Sequence, residues 1–408
     1  MWNIAKLQTI FCSINSDSRY YNLIGTYLLS IFVFILPFDR FGRIRAIWIG
    51  CMILFWIVVW FSSKKRFISA GRLVDASLLF LFLWTVFTII YAVNIRYSIG
   101  ELKNEMITHL FLFYFTINIV NSINDVKKIL MSLVICSFIF SVYGIIEFFW
   151  LSNGILLARN VRIGSFTSDY NYLSTFFVIA FPMILVIALS VDRPLLRLSC
   201  IIVSGMALFV LFLTYSRAAW IAVFVELCIL GWLKKKWFFF LLLSLFSVSL
   251  FLFFTCPPYS KVIQNLIGHY DEGRIMIWKF ALSKILEYPI TGIGYGRNSF
   301  ILAFPDNPIS LNVYPYKHVH NSFLDTALEI GLPGLILLIS TFAALLWSIM
   351  KSYNLQKRKF ESFFLLGLVM IIAGYIIRVQ FDHLYVDAPA KLFWILIGSG
   401  VSLIKKRA

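Results

Sequence analysis

The chain has 408 residues, 61% of them hydrophobic and 13% charged, with a mean hydropathy of +0.87. Soluble chains carry about 45 to 50% apolar and about 25% charged residues, so an ordinary soluble fold is excluded. The net charge of +17 would suggest nucleic acid in a soluble protein, but in a bilayer it is explained by lipid headgroups and loop orientation, and nucleic acid is set aside.

At about 20 residues per helical span, twelve spans use roughly 240 residues and leave no room for a large soluble domain. The sequence therefore predicts an all-α polytopic membrane protein. It forms one integral membrane domain over 1–408, with one long outer loop at 256–320. The first 22 residues are polar, and the apolar run behind them ends in Pro37-Phe38-Asp39 without a small-residue cleavage pattern. This predicts an uncleaved first span. Apolar runs bounded by charge or Pro/Gly clusters follow one another near 22–37, 45–61, 74–93, 106–120, 129–151, 172–191, 198–214, 217–233, 237–255, 321–350, 362–379 and 385–403. The six cysteines lack CxxC spacing and read as small buried hydrophobes.

With a cytoplasmic N-terminus, cations in short loops and tails number 20 on the inner side against 10 on the outer, which places both termini in the cytoplasm. The outer cations are mostly arginines: Arg40, Arg43, Arg45, Arg96, Arg159, Arg162, Arg217, Arg274, Arg297 and Arg378. Arginine forms bidentate contacts with phosphate, where lysine is a mobile point charge. Arg40, Arg43 and Arg45 read as headgroup anchors.

Arg162 lies in RIGSFTS, which reads either as an anion-binding helix start or as an ordinary Ser/Thr cap. Arg217 lies in SRAAW, at a seam too short to solvate it freely, which indicates a ligand contact or a snorkelling structural arginine. In the long outer segment, Ile275, Trp278, Leu282 and Ile285 share one helical face over 271–286, with Arg274 beside them. The GIGYG stretch at 292–296 lacks phosphate-loop spacing and reads as a tight turn.

In KHVHNSFLDTALEIGLPG, Asn321, Asp325 and Glu329 recur every four residues and share an inward face of the tenth span. His320 is expected at the cavity mouth, with His318 further out and solvated. The pair admits a metal site, a structural hydrogen-bonded pair or an acid/base role. No third ligand stands nearby in sequence, so no metal or other cofactor is expected. Asp382, His383 and Asp387 are the one group that might gather a cation.

His320-Asn321, then nine residues, then Gly331-Leu332-Pro333-Gly334 resembles the signature of the O-antigen ligase family of lipopolysaccharide assembly. SRAAW around Arg217, RIGSF around Arg162, and Arg274-xxx-Trp278 followed by Pro289-xx-Gly292-x-Gly294 match the same pattern. The first 150 residues hold nothing diagnostic, and looser forms of the His motif occur in O-antigen polymerases and O-linked oligosaccharyltransferases.

The resemblance implies a glycosyltransferase that moves O-antigen from undecaprenyl diphosphate to a sugar hydroxyl of lipid A-core at the periplasmic face of the inner membrane. In that reading Arg162, Arg217 and Arg274 bind the diphosphate, and His320 accepts the hydroxyl proton, clustered cations favouring its neutral form. His318, Asn321, Asp325 and Glu329 support them, and the outer loop is the lid through which the acceptor sugar enters. The same residues would serve a polymerase. A lipid-linked oligosaccharide flippase would not need His, Arg and a long loop on one side, and no two-fold hydropathy repeat is visible.

Overall fold

A computed structural model describes residues 18–63, 67–153, 161–167, 169–255, 272–305, 318–356, 358–383 and 385–405. Arg159, the N-terminal polar stretch over 1–17, Cys12, Cys256, and 256–271 and 306–317 of the expected lid lie outside the described residues. All regular structure among the described residues is helical.

The helices run α1 (Ser18–Ile35), α2 (Gly42–Ser63), α3 (Arg72–Thr88), α4 (Ile95–Glu101), α5 (Thr108–Ile119), α6 (Ile123–Leu151), α7 (Tyr170–Ser190) and α8 (Pro194–Leu213). They continue with α9 (Arg217–Lys234), α10 (Lys236–Thr255), α11 (Glu272–Glu287), α12 (Ser299–Ala303), α13 (Ser322–Leu355), α14 (Lys359–Val379) and α15 (Asp387–Lys405). A π-helical turn, Leu102–Ile107, joins α4 to α5.

Local chemistry sets several helix starts. Ser122 and Asp125 form a capping box on α6, Asp169 caps α7, and Pro194 opens α8 at a position where its missing N–H costs nothing.

Each expected apolar run falls on a helix, and among the described residues eight helices have both the length and the apolarity to cross a membrane. The chain is therefore a multi-pass membrane protein. The other four runs fall on α1, α5, α9 and α10; α5 has only 12 residues, and α9 carries Arg217, Glu226 and Lys234. Burial separates the spans: 89% of the best window of α7 is inside the protein, against 11% for α2. Helix α7 is apolar all round because protein surrounds it, whereas α2 is apolar because lipid does. Helix α14 packs on α7 and α9, α15 on α5, and α13 on α3. The cysteine reading holds for Cys136 and Cys200, while Cys51 is exposed on α2.

The tenth span is not one continuous helix. At Ile330 and Gly331 the backbone leaves the helical region, with φ of +74° at Gly331. The polar groups freed there all find partners. Ile293 and Gly294 N–H donate to the Leu328 and Glu329 carbonyls, the Trp84 indole donates to Ile330 O at 2.8 Å, and Leu332 N–H reaches Pro289 O. Buried backbone polar groups must be paired, so the break and the glycine-rich segment specify each other. The GIGYG stretch is thus no tight turn but an extended segment with three left-handed glycines, Gly292, Gly294 and Gly296, laid against the broken helix.

The amphipathic helix over 271–286 is present as α11, but its buried stripe is Ile277, Ala281 and Ile285, and Leu282 is exposed. Its partners are Val319, Ala327 and Leu328, so the helix docks on the start of α13 at the angle that partner requires.

Candidate functional site

Asn321 caps α13, its Oδ1 accepting from Phe323 and Leu324 N–H. The preceding chain folds back so that Val319 N–H donates to Asp325 Oδ1 at 2.9 Å. His320 is held at φ +56°, a left-handed conformation that costs on the order of 1 kcal/mol or more for a non-glycine residue and concentrates at functional sites. Its imidazole thereby turns toward Asp382, in the loop between α14 and α15.

Asp382 Oδ1 lies 2.9 Å from His320 Nδ1 and 3.2 Å from His318 Nε2. The loop carrying it is fixed by His383 N–H to the same oxygen and by Ser322 Oγ to the Asp382 carbonyl. A carboxylate at Nδ1 makes that nitrogen the donor, so the lone pair of neutral His320 sits on Nε2. Burial would raise the Asp382 carboxyl, but the two imidazole hydrogen bonds outweigh it and hold the group far below the usual carboxylate range.

The expected order of the histidines is reversed. His318 is buried, while the His320 side chain keeps 23% of its surface exposed. The α11 helix covers His318, with the Trp278 indole donating to Val319 O between the two histidines. Burial pushes the His318 imidazole down to about 4 against the pull of Asp382, so it remains a neutral donor.

Asp325 and Glu329 are buried, and both stand beside another histidine. Asp325 Oδ2 pairs with His383 Nδ1 at 2.8 Å, and Glu329 stands next to that pair. Burial depresses the His383 imidazole, but the Asp325 carboxylate more than compensates and carries it above the usual histidine range.

Tertiary folding also supplies what sequence proximity lacked for a metal. Ligand atoms of His318, His320 and Asp382 lie within 4.8 Å of one another, as do those of Asp325, Glu329 and His383. The short His–carboxylate hydrogen bonds account for most of these atoms. Asp387 joins neither, its carboxylate meeting Tyr172 and Lys391 instead.

The three arginines singled out in the sequence come together. Arg162, Arg217 and Arg274 line one cavity of about 360 Å³, with Arg378 as a fourth. Among the described residues no carboxylate lines it. The Arg162 guanidinium rests 4.7 Å from the centroid of the Tyr170 ring. Arg217 is exposed at the start of α9, after a left-handed Tyr215, and lines the cavity that it shares with Arg162 and Arg274.

Arg378 is almost fully buried, with Nη2 2.8 Å from Asn171 Oδ1, and lies within electrostatic reach of Asp382 and Arg274. Sequence reasoning offers Asp382 only as part of a cation-gathering group with His383 and Asp387, and Arg378 only as one of the outer cations. The available signal was their place at the end of an apolar run, where ionisable groups are costly and retained for interior partners.

These features define a helical membrane protein with an anion-receiving arginine cavity beside a histidine–carboxylate group. Residues 201–339, from α8 into α13, match the family model described as O-Antigen ligase. A Rickettsia typhi protein named "Putative polysaccharide ligase" is 24% identical over 93% of this chain and 97% of its own length. Proteins of that name from Rickettsia conorii and Rickettsia felis are 30% and 28% identical over 33% of this chain, and each match spans 31% of the relative. Over residues 201–339 the chain is thus similar to the O-antigen ligase family, and its relatives carry the name of polysaccharide ligases.

Proposed function

We propose that the protein transfers O-antigen from undecaprenyl diphosphate to a sugar hydroxyl of lipid A-core, at the outer face of the inner membrane with both termini cytoplasmic. The observation that carries this reading is the cavity lined by four arginines next to a partly exposed histidine hydrogen-bonded to Asp382.

A sugar diphosphate already contains a good leaving group. The protein must therefore position two substrates, stabilise the charge that grows on the departing phosphate and accept one hydroxyl proton. Arg162, Arg217 and Arg274 take the diphosphate. Arg378, fixed by Asn171, sets the potential at the cavity floor. His320 Nε2 accepts the proton, and Asp382 stabilises the resulting imidazolium. His318 holds Asp382 in place as a neutral donor.

The test is a lipopolysaccharide gel from a deletion strain. Loss of the whole ladder with accumulation of undecaprenyl-linked polymer supports the reading, whereas accumulation of single repeats identifies a polymerase. Full complementation by Arg217→Ala at normal membrane abundance would remove Arg217 from the donor site.

A further inference from the structure

The loop between α14 and α15 separates two cavities. Arg378 and Phe381 at its start line the arginine cavity, while Val386 and Asp387 at its end line a second cavity of about 800 Å³. Asp382, which holds both imidazoles, lies between them. The same partition recurs on α7, where Asn171 lines the first cavity and Tyr172 donates to Asp387 Oδ2 and accepts from Arg297 Nη1 at the second.

The chemistry of the second cavity is different. Its outer end presents Glu101, Asn104, Arg297, Asn298, Asp387 and Lys391. Carboxylates, amides and cations are mixed there, and several are already tied together: Asp387 N–H donates to Glu105 Oε2 at 2.8 Å, and Lys391 Nζ lies 3.6 Å from Glu105 and 3.8 Å from Asp387. The π-helical turn Leu102–Ile107 forms part of this wall, and such turns are found mostly where function requires a distorted helix. A lining with donors and acceptors in near balance suits a polyhydroxylated ligand. A diphosphate would meet three carboxylates there, whereas among the described residues none lines the first cavity.

Its inner end is apolar. Ile49 and Ile53 of α2 face Ile107 and Phe111 across it. Gly42, Ala46 and Gly50, one turn apart on α2, line the same wall, and a Cβ at Gly50 would meet nothing within 4 Å. The groove therefore continues from a sugar-compatible end to an acyl-compatible end between α2 and α5.

Building on the transferase reading, we propose that this groove binds the acceptor as a glycolipid, with saccharide hydroxyls at Glu101 and Asp387 and acyl chains along Gly50 and Ile53. The acceptor then reaches His320 laterally from the bilayer, on the side opposite the donor phosphates.

The test uses the full-length protein in nanodiscs, with lipopolysaccharide lacking O-chain as acceptor probe and undecaprenyl-diphosphate-linked saccharide as donor. Gly50→Phe should raise the acceptor KM at least tenfold and leave the donor KM unchanged. Glu101→Gln should raise the acceptor KM in the same direction. Gly205→Phe, on an exposed face of α8 where a Cβ also meets nothing within 4 Å, should change neither.

A photoreactive benzoylphenylalanine at position 53, but not at 205, should cross-link the lipopolysaccharide in preference to phosphatidylethanolamine. Wild-type acceptor KM in a well-folded Gly50→Phe protein, cross-linking of the donor at position 53, or equal capture of phosphatidylethanolamine would overturn the proposal. If the wild-type protein transfers no saccharide, the transferase reading fails, and the cross-linking result still decides the groove.

Discussion

His320 Nδ1 lies 2.9 Å from Asp382 Oδ1 although 62 residues separate them. That contact assigns the tautomer of His320 and puts its proton-accepting lone pair on Nε2. Asp382→Asn preserves the shape but offers an amide that can donate to Nδ1 and so favour the opposite tautomer. Single-turnover transfer should fall by about 10²- to 10⁴-fold in both Asp382→Asn and His320→Ala, with donor binding retained and the double mutant little worse than either single one. A near-normal Asp382→Asn enzyme would show that Asp382 is structural.

His318 and His383, both buried, make opposite pH predictions. His318 titrates near 4 in the folded protein and about 6.5 when unfolded. Between those values the unfolded state binds the proton and the native state does not, so this group lowers stability as pH falls from about 6.5 toward 4. His383 is shifted upward; its stabilising contribution is fully present below about pH 6.5 and is lost as pH rises through its folded value. Thermal unfolding in detergent from pH 4.5 to 8 should show a flatter acid limb in His318→Gln, and in His383→Gln a loss concentrated at acid pH. A reversed order would contradict the assignment of charge states.

The arginines should separate by burial. Arg217 is exposed and Arg378 is not. Arg217→Lys should therefore reach normal membrane abundance yet bind donor about tenfold more weakly, since an ammonium cannot reproduce a bidentate contact. Arg378→Ala should lower abundance as well, because Asn171 loses its partner inside the protein. Equal abundance of the two variants, or unaltered donor binding by Arg217→Lys, would contradict this division.

Gly331→Ala should be among the most disruptive single substitutions. It places a side chain at φ +74° and drives its Cβ into the Ile290 carbonyl oxygen. Trp84→Phe, which only removes the indole donor to Ile330 O, should cost about 1 to 3 kcal/mol. Thermal unfolding of the two variants should rank them in that order.

Transfer should persist in EDTA, because the shortest contacts in both His–carboxylate triads are hydrogen bonds that already serve the proposed proton chemistry. Loss of activity in EDTA with recovery in Mg²⁺, Mn²⁺ or Zn²⁺ would reassign those triads as ligands.

The helical membrane class, the placement of each apolar run and the identity of Arg162, Arg217, Arg274 and His320 were legible in the sequence. They depend on local quantities: hydropathy over about 20 residues, and the chemistry of arginine and histidine at membrane edges. The roles of Asp382, His383 and Arg378 were not legible, because their partners lie 58 to 207 residues away. Periodicity also misplaced the face of α11 and missed the break in α13, since both are decided by the partner surface: Val319 and Leu328 against α11, the glycine segment and Trp84 against Ile330. The second cavity was wholly silent in sequence. Its walls come from α2, the π-helical turn, the 297–298 segment and α15, and only packing of those distant elements makes their scattered polar groups a site.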